Sequence, residues 1–145
     1  MKDTFVPSKK FINKKWYLID ATNQTLGKLA TKISKILNGK EKIIYMPFLE
    51  TGDCIVVINV EKICISGKKE NQKIYRNHSG RPGGMKTEIF SKLQQRQPKK
   101  IIERAVKGML PKKTLGQKIY KNLKIYAGNQ HPHRAQIPIL LKLES

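Results

Sequence analysis

Ten Lys and Arg residues and a single acid, Glu103, lie between Arg96 and Tyr126. Cations at this density can neutralise the phosphates of a polyanion. Apolar residues recur among them at helical spacing, which predicts a folded scaffold beneath the charge. This stretch therefore predicts a nucleic-acid-binding surface on a structured domain and not a disordered basic tail.

A second basic segment, Asn77 to Lys86, contains three Gly and one Pro in ten residues and is predicted to be a loop. Its glycines would let backbone N–H groups approach a phosphate closely. Arg76, Arg81 and Lys86 supply positive charge, and His78 could stack on a base or hydrogen-bond a sugar. A plain surface turn is the alternative, but the basic side chains favour phosphate binding.

The acidic and histidine side chains do not form a pattern that is typical of catalysis. The sequence has no nucleophile elbow, no HExxH and no paired carboxylates beside an apolar pocket. His131 and His133 could offer two imidazoles to a metal ion, but no third ligand is near them in sequence. We therefore predict a protein that is not an enzyme, with no cofactor, no metal and no small-molecule substrate.

The two cysteines, Cys54 and Cys64, lie in apolar, strand-like contexts without a Cys or His neighbour close in sequence. A zinc site would need two more ligands, and a reducing compartment disfavours a disulfide. Both are predicted to be buried thiols that act as small hydrophobic side chains.

Composition limits the class of protein. The 145 residues include 30 Lys plus Arg and 10 Asp plus Glu, for a net charge of +20, so a polyanion is the expected partner. No apolar run approaches the roughly 20 residues that span a bilayer, and the N-terminus lacks the pattern of a secretory or transit peptide. We predict a basic N-terminal arm at residues 1–15, a single domain at residues 16–145, and no membrane partner. Binding to an anionic membrane surface is an alternative explanation of the charge.

Two segments, Trp16 to Asp20 and Cys54 to Val60, are predicted to be strands. The second is a continuous run of mostly β-branched apolar residues, which is typical of a strand covered on both faces in a parallel sheet. A strand, a helix and a buried strand in this order favour an α/β fold. Lys73 to Arg76 is weakly strand-like, and Thr87 to Gln95 is predicted to form a short helix.

The first helix is predicted to begin after Thr25, a potential N-cap residue, and to stop at Gly39. Its apolar residues between Leu26 and Leu37 fall on one face. Lys28 and Lys32 lie on the opposite face, where they would contact either phosphate or solvent.

A further helix is predicted to start near Pro98 and to end at Pro111. A short helix at Thr114 to Tyr120, a strand at Leu123 to Tyr126 and an irregular tail from Gly128 onward complete the chain. The residues predicted on the buried side of the helix that starts near Pro98 are Ile101, Ile102, Ala105, Val106 and Met109.

Five segments in this order resemble one protein family. They are WYLIDATNQTLGKLA, TGDCIVVINVEKI, YRNHSGRPGGMKTE, AVKGMLPKKTLGQKIYKNLKIYAG and NQHPH. Together they resemble the bacterial-type large-subunit ribosomal protein family L13 over almost the whole chain from Trp16 to about Gln136. The resemblance implies a three-layer α/β/α fold around a mostly parallel four-stranded sheet. It also implies a structural, non-enzymatic role in early assembly of the large subunit, with 23S-type ribosomal RNA and neighbouring large-subunit proteins as partners.

The basic pattern and the resemblance together predict a set of RNA-binding residues. The competing function is that of a free-standing basic RNA-processing enzyme or RNA-binding regulator, which could use the same surface. The predicted RNA-binding residues are Lys28, Lys32, Arg76, His78, Arg81, Lys86, Lys107, Lys112, Lys113, Lys118, Lys121, His131 and His133.

The form HSGRPGGMKTE is similar to that of cyanobacterial and plastid members of the family. Of the 30 cationic residues, 25 are Lys, a preference that suits an AT-rich organellar genome. These features predict a ribosomal protein of the plastid stroma, with the bacterial cytoplasm as the alternative. The sequence departs from the family pattern at Lys28, Phe48 and Gln117.

Overall fold

The computed structural model describes residues 5–8 and 11–142. Short 3₁₀ turns lie at Val60–Lys62 and His133–Gln136. The strands and α-helices of this part of the chain are β1 Trp16–Asp20, α1 Leu26–Asn38, β2 Cys54–Ile58, α2 Lys69–Gln72, β3 Ile74–His78, β4 Met85–Ile89, α3 Phe90–Arg96, α4 Lys99–Met109, α5 Thr114–Tyr120, β5 Leu123–Ile125 and β6 Ile139–Leu141.

Four strands form the main sheet in the order β5–β2–β1–β6, and each neighbouring pair is parallel. The central strand β2 is buried at all five positions, as its continuous apolar run predicts. Parallel neighbours need a crossover connection, which α1 supplies between β1 and β2. Helices lie on both sides of the sheet, and the predicted α/β fold with a four-stranded sheet is confirmed.

The main hydrophobic core lies between one face of the sheet and the helices α1 and α4. Ile19, Ile55 and Val57 share this face, because residues two apart along a strand point the same way. The apolar face predicted for α1 is buried throughout. On α4, however, Met109 is 46% exposed. Its predicted burial is wrong because the helix ends at this residue and Leu110, in extended conformation, takes the buried position.

The C-terminal tail packs against the opposite face of the sheet. There the imidazole of His133 lies 5.1 Å from the indole of Trp16, measured between ring centroids. The tail then forms β6, which pairs with β1 and completes the sheet. The tail is therefore irregular only as far as Pro138. A three-residue edge strand is too short to show a periodic pattern in the sequence.

The two ends of α1 are stabilised differently from each other. Gly39 stops the helix as predicted: it has a φ of 74°, and its N–H and that of Lys40 donate to the carbonyls of Ile36 and Lys35. At the other end, the Thr25 hydroxyl makes no hydrogen bond, so the predicted side-chain cap is wrong. The Leu26 N–H instead donates to the carbonyl of Cys64 at 3.0 Å.

That pairing with the start of α1 also places Cys64 outside the main sheet, where it is exposed, whereas Cys54 in β2 is buried. The prediction of two buried thiols is thus right for Cys54 and wrong for Cys64. The error arises because an apolar, strand-like sequence does not reveal whether another layer covers it.

A separate two-stranded sheet, formed by β3 and β4, was largely missed in the sequence. The weak strand predicted at Lys73 to Arg76 extends to His78, and the predicted loop shrinks to the residues between His78 and Met85. Thr87 to Ile89, predicted as the start of a helix, lie in β4 instead, and α3 begins at Phe90. Pairing across the turn decides this, since each strand supplies the hydrogen-bond partners of the other.

A buried carboxylate helps to attach the segment before β1 to the domain. Asp53 accepts a hydrogen bond from the backbone N–H of Lys15 at 2.8 Å. It also forms an ion pair with the Nζ of Lys42 at 2.6 Å. The same Lys42 donates to the carbonyl of Asn13. Part of the predicted arm, at residues 1–4 and 9–10, lies outside the described residues. None of the described helices is long and apolar enough to cross a membrane.

Candidate nucleic-acid interface

The β3–β4 hairpin presents the glycine-rich segment at its tip. Ser79 donates its N–H to the carbonyl of Gly84 at 3.1 Å, and Gly84 donates to the carbonyl of Arg81 at 2.9 Å. Gly80 has a φ of 87°, which disfavours any side chain there. Local backbone geometry thus fixes an exposed loop that carries Arg81 at its centre.

The imidazole of His78 belongs to this loop. Its Nδ1 accepts the backbone N–H of Gly80 at 3.0 Å. A neutral ring that accepts at Nδ1 carries its proton at Nε2, so the second ring nitrogen is left to donate outward. The exposed ring can therefore donate a hydrogen bond to a phosphate or sugar oxygen.

The register of the hairpin divides the predicted cations between its two faces. Arg76 pairs with Thr87, and His78 with Met85, on one face. Lys86 pairs with Asn77 on the other face. The structure thus brings Arg76 and His78 together but does not place Lys86 beside them.

The face that carries Tyr75 anchors the hairpin to the domain. The Tyr75 ring lies 6.5 Å from that of Phe90 and 5.4 Å from the guanidinium of Arg104. Glu88, on the same face, accepts hydrogen bonds from Nε and Nη2 of Arg96 at 3.0 and 2.6 Å. Arg96 holds the pKa of Glu88 below its usual value. Arg104 and Arg96, two cations of the basic stretch, therefore contact the hairpin side chains Tyr75 and Glu88.

The KGMLPK segment, residues 107–112, and α5 form one folded unit. Pro111 follows the end of α4, and its carbonyl oxygen lies close to Gly116 in α5. A Cβ at position 116 would lie 1.6 Å from that oxygen, so glycine is required there. The lysines of this unit point into solvent. The exposed cations here are Lys107, Lys112, Lys113, Lys118 and Lys121.

Few of the basic side chains are neutralised within the protein. Among the described residues, the ion pairs join Lys14 to Glu50, Lys32 to Glu41, Lys42 to Asp53 and Arg96 to Glu88. Of the predicted interface residues, Lys32 alone takes part in one, and its partner Glu41 is half exposed. Lys28, one helical turn before it, is exposed and outside these pairs. Most of the predicted surface thus carries uncompensated positive charge.

The two histidines of the tail are only partly exposed. Nε2 of His133 lies 2.9 Å from the hydroxyl of Tyr126, and the ring also lies against that of Trp16 at a tilt of 33°. Burial lowers the pKa of His133, with a further contribution from the charges of Lys124 and His131. His133 therefore holds the tail on the sheet. In the part of the chain that the structure describes, no group of three His, Cys, Asp or Glu side chains could hold a metal ion.

One acidic side chain, Asp20, has structural partners as well. Asp20 accepts hydrogen bonds from the N–H and hydroxyl of Thr22 and from Nδ2 of Asn59. Burial acts to raise the pKa of Asp20, but these hydrogen bonds and the nearby Lys62 outweigh it and leave the pKa lowered. A carboxylate held in this way remains ionised and orients the turn after β1.

Lys40 is an exposed cation that does not stand out in the sequence. It lines the same groove as Leu110 and Pro111, next to the KGMLPK segment. The apolar run from Ile43 to Leu49 is the signal that could have pointed to this groove, because such a run is unusual in a loop.

Comparisons with known proteins give one consistent result. The family model described as Ribosomal protein L13 matches residues 14–132. The chain is 58% identical to the large ribosomal subunit protein uL13 of Cyanothece sp., over 100% of this chain and 97% of that protein. It is 55% identical to the proteins of the same name from Acaryochloris marina and Microchaete diplosiphon, over 100% of this chain and 96% of each of them.

Proposed function

The chain belongs to the ribosomal protein L13 family, and on that premise we propose that it is a structural constituent of the large ribosomal subunit. In this role it binds 23S-type ribosomal RNA, lies beside other large-subunit proteins and supports early assembly of the subunit. The family is structural and not enzymatic. The observation that carries RNA binding is the exposed positive charge on the hairpin, the KGMLPK segment and α5, whose predicted RNA-binding residues form no ion pair with the described part of the chain.

The proposed mechanism is the neutralisation of phosphates where RNA segments converge on a rigid protein surface. Lysine and arginine that are already exposed need no rearrangement to meet phosphate. At the hairpin tip, Arg81 supplies charge while the outward N–H of His78 donates a hydrogen bond. His133 contributes indirectly, by fixing the tail, and His131 lies next to it with a ring separation of 6.4 Å. The other contacts are assigned to Lys28, Arg76, Lys86, Lys107, Lys112, Lys113, Lys118 and Lys121, with a smaller contribution from the paired Lys32.

Folded RNA suits this surface better than a long single strand. The tyrosines among the basic residues are not free stacking platforms: Tyr75 and Tyr120 pack against the core, and Tyr126 contacts His133. Single-strand binders usually offer exposed aromatic rings. Recognition here therefore depends on backbone shape, phosphates and 2′-hydroxyls.

The proposed location is the ribosome of the plastid stroma. The support is the identity to cyanobacterial proteins, since plastids and cyanobacteria share similar ribosomal proteins, together with the predominance of Lys over Arg. A cyanobacterial cytoplasm is the alternative. We also propose that residues 16–145 act as one RNA-binding domain, with residues 1–15 as its basic arm.

Two measurements test the function. The protein should cosediment with large subunits in a sucrose gradient. Binding of the isolated protein to 23S-type RNA should weaken by roughly 10³ to 10⁵ between about 50 and 200 mM salt if about six to ten phosphates are contacted, on the scale known for duplex DNA. A flat salt response would overturn binding by phosphate neutralisation, and sedimentation away from ribosomal particles would argue for the competing regulator or enzyme.

A matched pair of variants separates a defined surface from general attraction. Lys112→Ala/Lys113→Ala and Lys68→Ala/Lys69→Ala each remove two adjacent, exposed lysines. The first pair lies in the proposed interface and the second lies outside it. Only the first should weaken binding strongly. Equal losses would show that net charge alone drives the association.

A further inference from the structure

A groove of about 320 Å³ lies where the end of α1, the loop before β2 and the α4–α5 turn meet. Two stretches that are distant in sequence, residues 38–49 and 109–119, form it. Its apolar lining includes Tyr45, Met46, Leu49, Met109, Leu110 and Leu115.

The groove remains open although its walls are apolar. Tyr45 is 37% exposed and Met109 is 46% exposed. Phe48, in the same loop, is 63% exposed but does not line the groove. Clusters of exposed apolar side chains with polar rims commonly mark binding sites. This cluster therefore indicates a binding site.

The charges at the rim indicate which occupant fits. Lys40 lines the groove, and the exposed Lys112 directly follows Pro111 in its wall. Among the described residues that line it, none is Asp or Glu. An apolar, partly aromatic floor beside two cations complements a nucleotide, because the base has an apolar face and the phosphate is anionic. An apolar peptide would gain nothing from the lysines.

We infer that this groove binds one unstacked base of ribosomal RNA, with the adjoining phosphate at Lys40 and Lys112. The inference rests on the proposed function and deepens it, since it adds a site for a base to a surface otherwise devoted to the RNA backbone. Tyr45 provides the ring on which the base stacks.

Binding of 23S-type RNA transcript by three variants tests this site. Tyr45→Ala should raise Kd about fivefold or more, because loss of one base–aromatic stack has at least this effect. Tyr45→Phe should bind like the wild type. Phe48→Ala is the control, because it removes an exposed aromatic ring of the same loop that does not line the groove. It should change Kd by less than about twofold. Equal effects of Tyr45→Ala and Phe48→Ala would overturn the inference.

Photocrosslinking identifies the occupant directly. In reconstituted large subunits, Tyr45→p-benzoylphenylalanine should crosslink to ribosomal RNA at an unpaired nucleotide. A crosslink to a neighbouring protein, or to a fully paired RNA segment, would contradict base capture. If the wild type fails to bind the transcript, the proposed function itself fails. If the wild type binds and Tyr45→Ala binds equally well, only the groove inference fails.

Discussion

The central strand β2 and the hairpin strand β3 have the same length but opposite surroundings. β2, with the sequence CIVVI, is buried at every position, whereas β3, with the sequence IYRNH, is exposed at every position except Tyr75. β2 has a parallel neighbour on each side, while β3 pairs with β4 alone. Strand conformation by itself therefore does not indicate a role. The buried strand serves stability, and the hairpin is available to a partner.

The small number of contacts at the base of the hairpin supports this division. Two-stranded sheets are only marginally stable by themselves. Here Tyr75 and Glu88 join the hairpin to Phe90, Arg104 and Arg96. Residues nearer the tip can consequently change without disturbing the core.

The largest contrast is expected from two isoleucines in these strands. Ile55 in β2 is fully buried, whereas Ile74 in β3 is 53% exposed. Ile55→Ala should lower the free energy of unfolding by about 2–5 kcal/mol, because it leaves a cavity in the core. Ile74→Ala should change it by roughly 0.5 kcal/mol or less, as is usual at a surface. Urea denaturation measures both, and similar losses would show that the hairpin shares the stability of the core.

The next effect is on RNA binding and not on stability. Arg81→Ala should reduce the slope of log K against log salt concentration by about 0.7–0.9 in magnitude, because one phosphate contact is lost. Its thermal midpoint should stay near that of the wild type, since the side chain is exposed. Arg81→Lys retains the charge and should restore most of the slope. A fall in the thermal midpoint of Arg81→Ala would instead assign the residue to the fold.

A smaller effect concerns the anchor of the hairpin. Glu88→Gln removes the charge that Arg96 contacts, and should speed amide exchange in β3 and β4 while leaving exchange in β2 unchanged. Because the pKa of Glu88 is lowered in the fold, its contribution is present above the ordinary Glu pKa and is lost as pH falls through the folded pKa. Faster exchange in β2 as well would show that the two regions unfold together.

The smallest effect is a pH dependence in the tail. Because the pKa of His133 is lowered in the folded protein, the unfolded chain binds more protons as pH falls. Its contribution to stability is therefore present above the ordinary His pKa and is lost as pH falls from that value through the lowered folded pKa. His133→Phe keeps a ring against Trp16 and should flatten the change in thermal midpoint between about pH 8 and pH 5. An unchanged pH profile would place the responsible titration elsewhere.

Local patterns predicted the buried parts of the fold well. The continuous apolar run of β2, the amphipathic α1 with its stop at Gly39, and α5 at Thr114–Tyr120 are confirmed. β6 was missed because pairing with the distant β1 creates it. The hairpin was misjudged because its strands are mostly exposed and are defined by their pairing across the turn. Cys64 was predicted to be buried because its neighbours are apolar, but no layer covers it. Met109 was predicted to be buried because helical spacing places it on the apolar side of α4, but the helix ends at this residue.

The sequence by itself determined the class of fold, the basic character and the family, because periodicity, net charge and linear motifs are properties of the chain. The tertiary structure decided which cationic side chains are exposed to solvent and which form contacts within the protein. In the fold, Arg96 pairs with Glu88 and Lys32 pairs with Glu41. Lys86 lies on the face of the hairpin opposite Arg76. The ring of His133 contacts Trp16 and Tyr126. These outcomes depend on contacts between different elements of the fold, and such contacts exist only once the chain has folded.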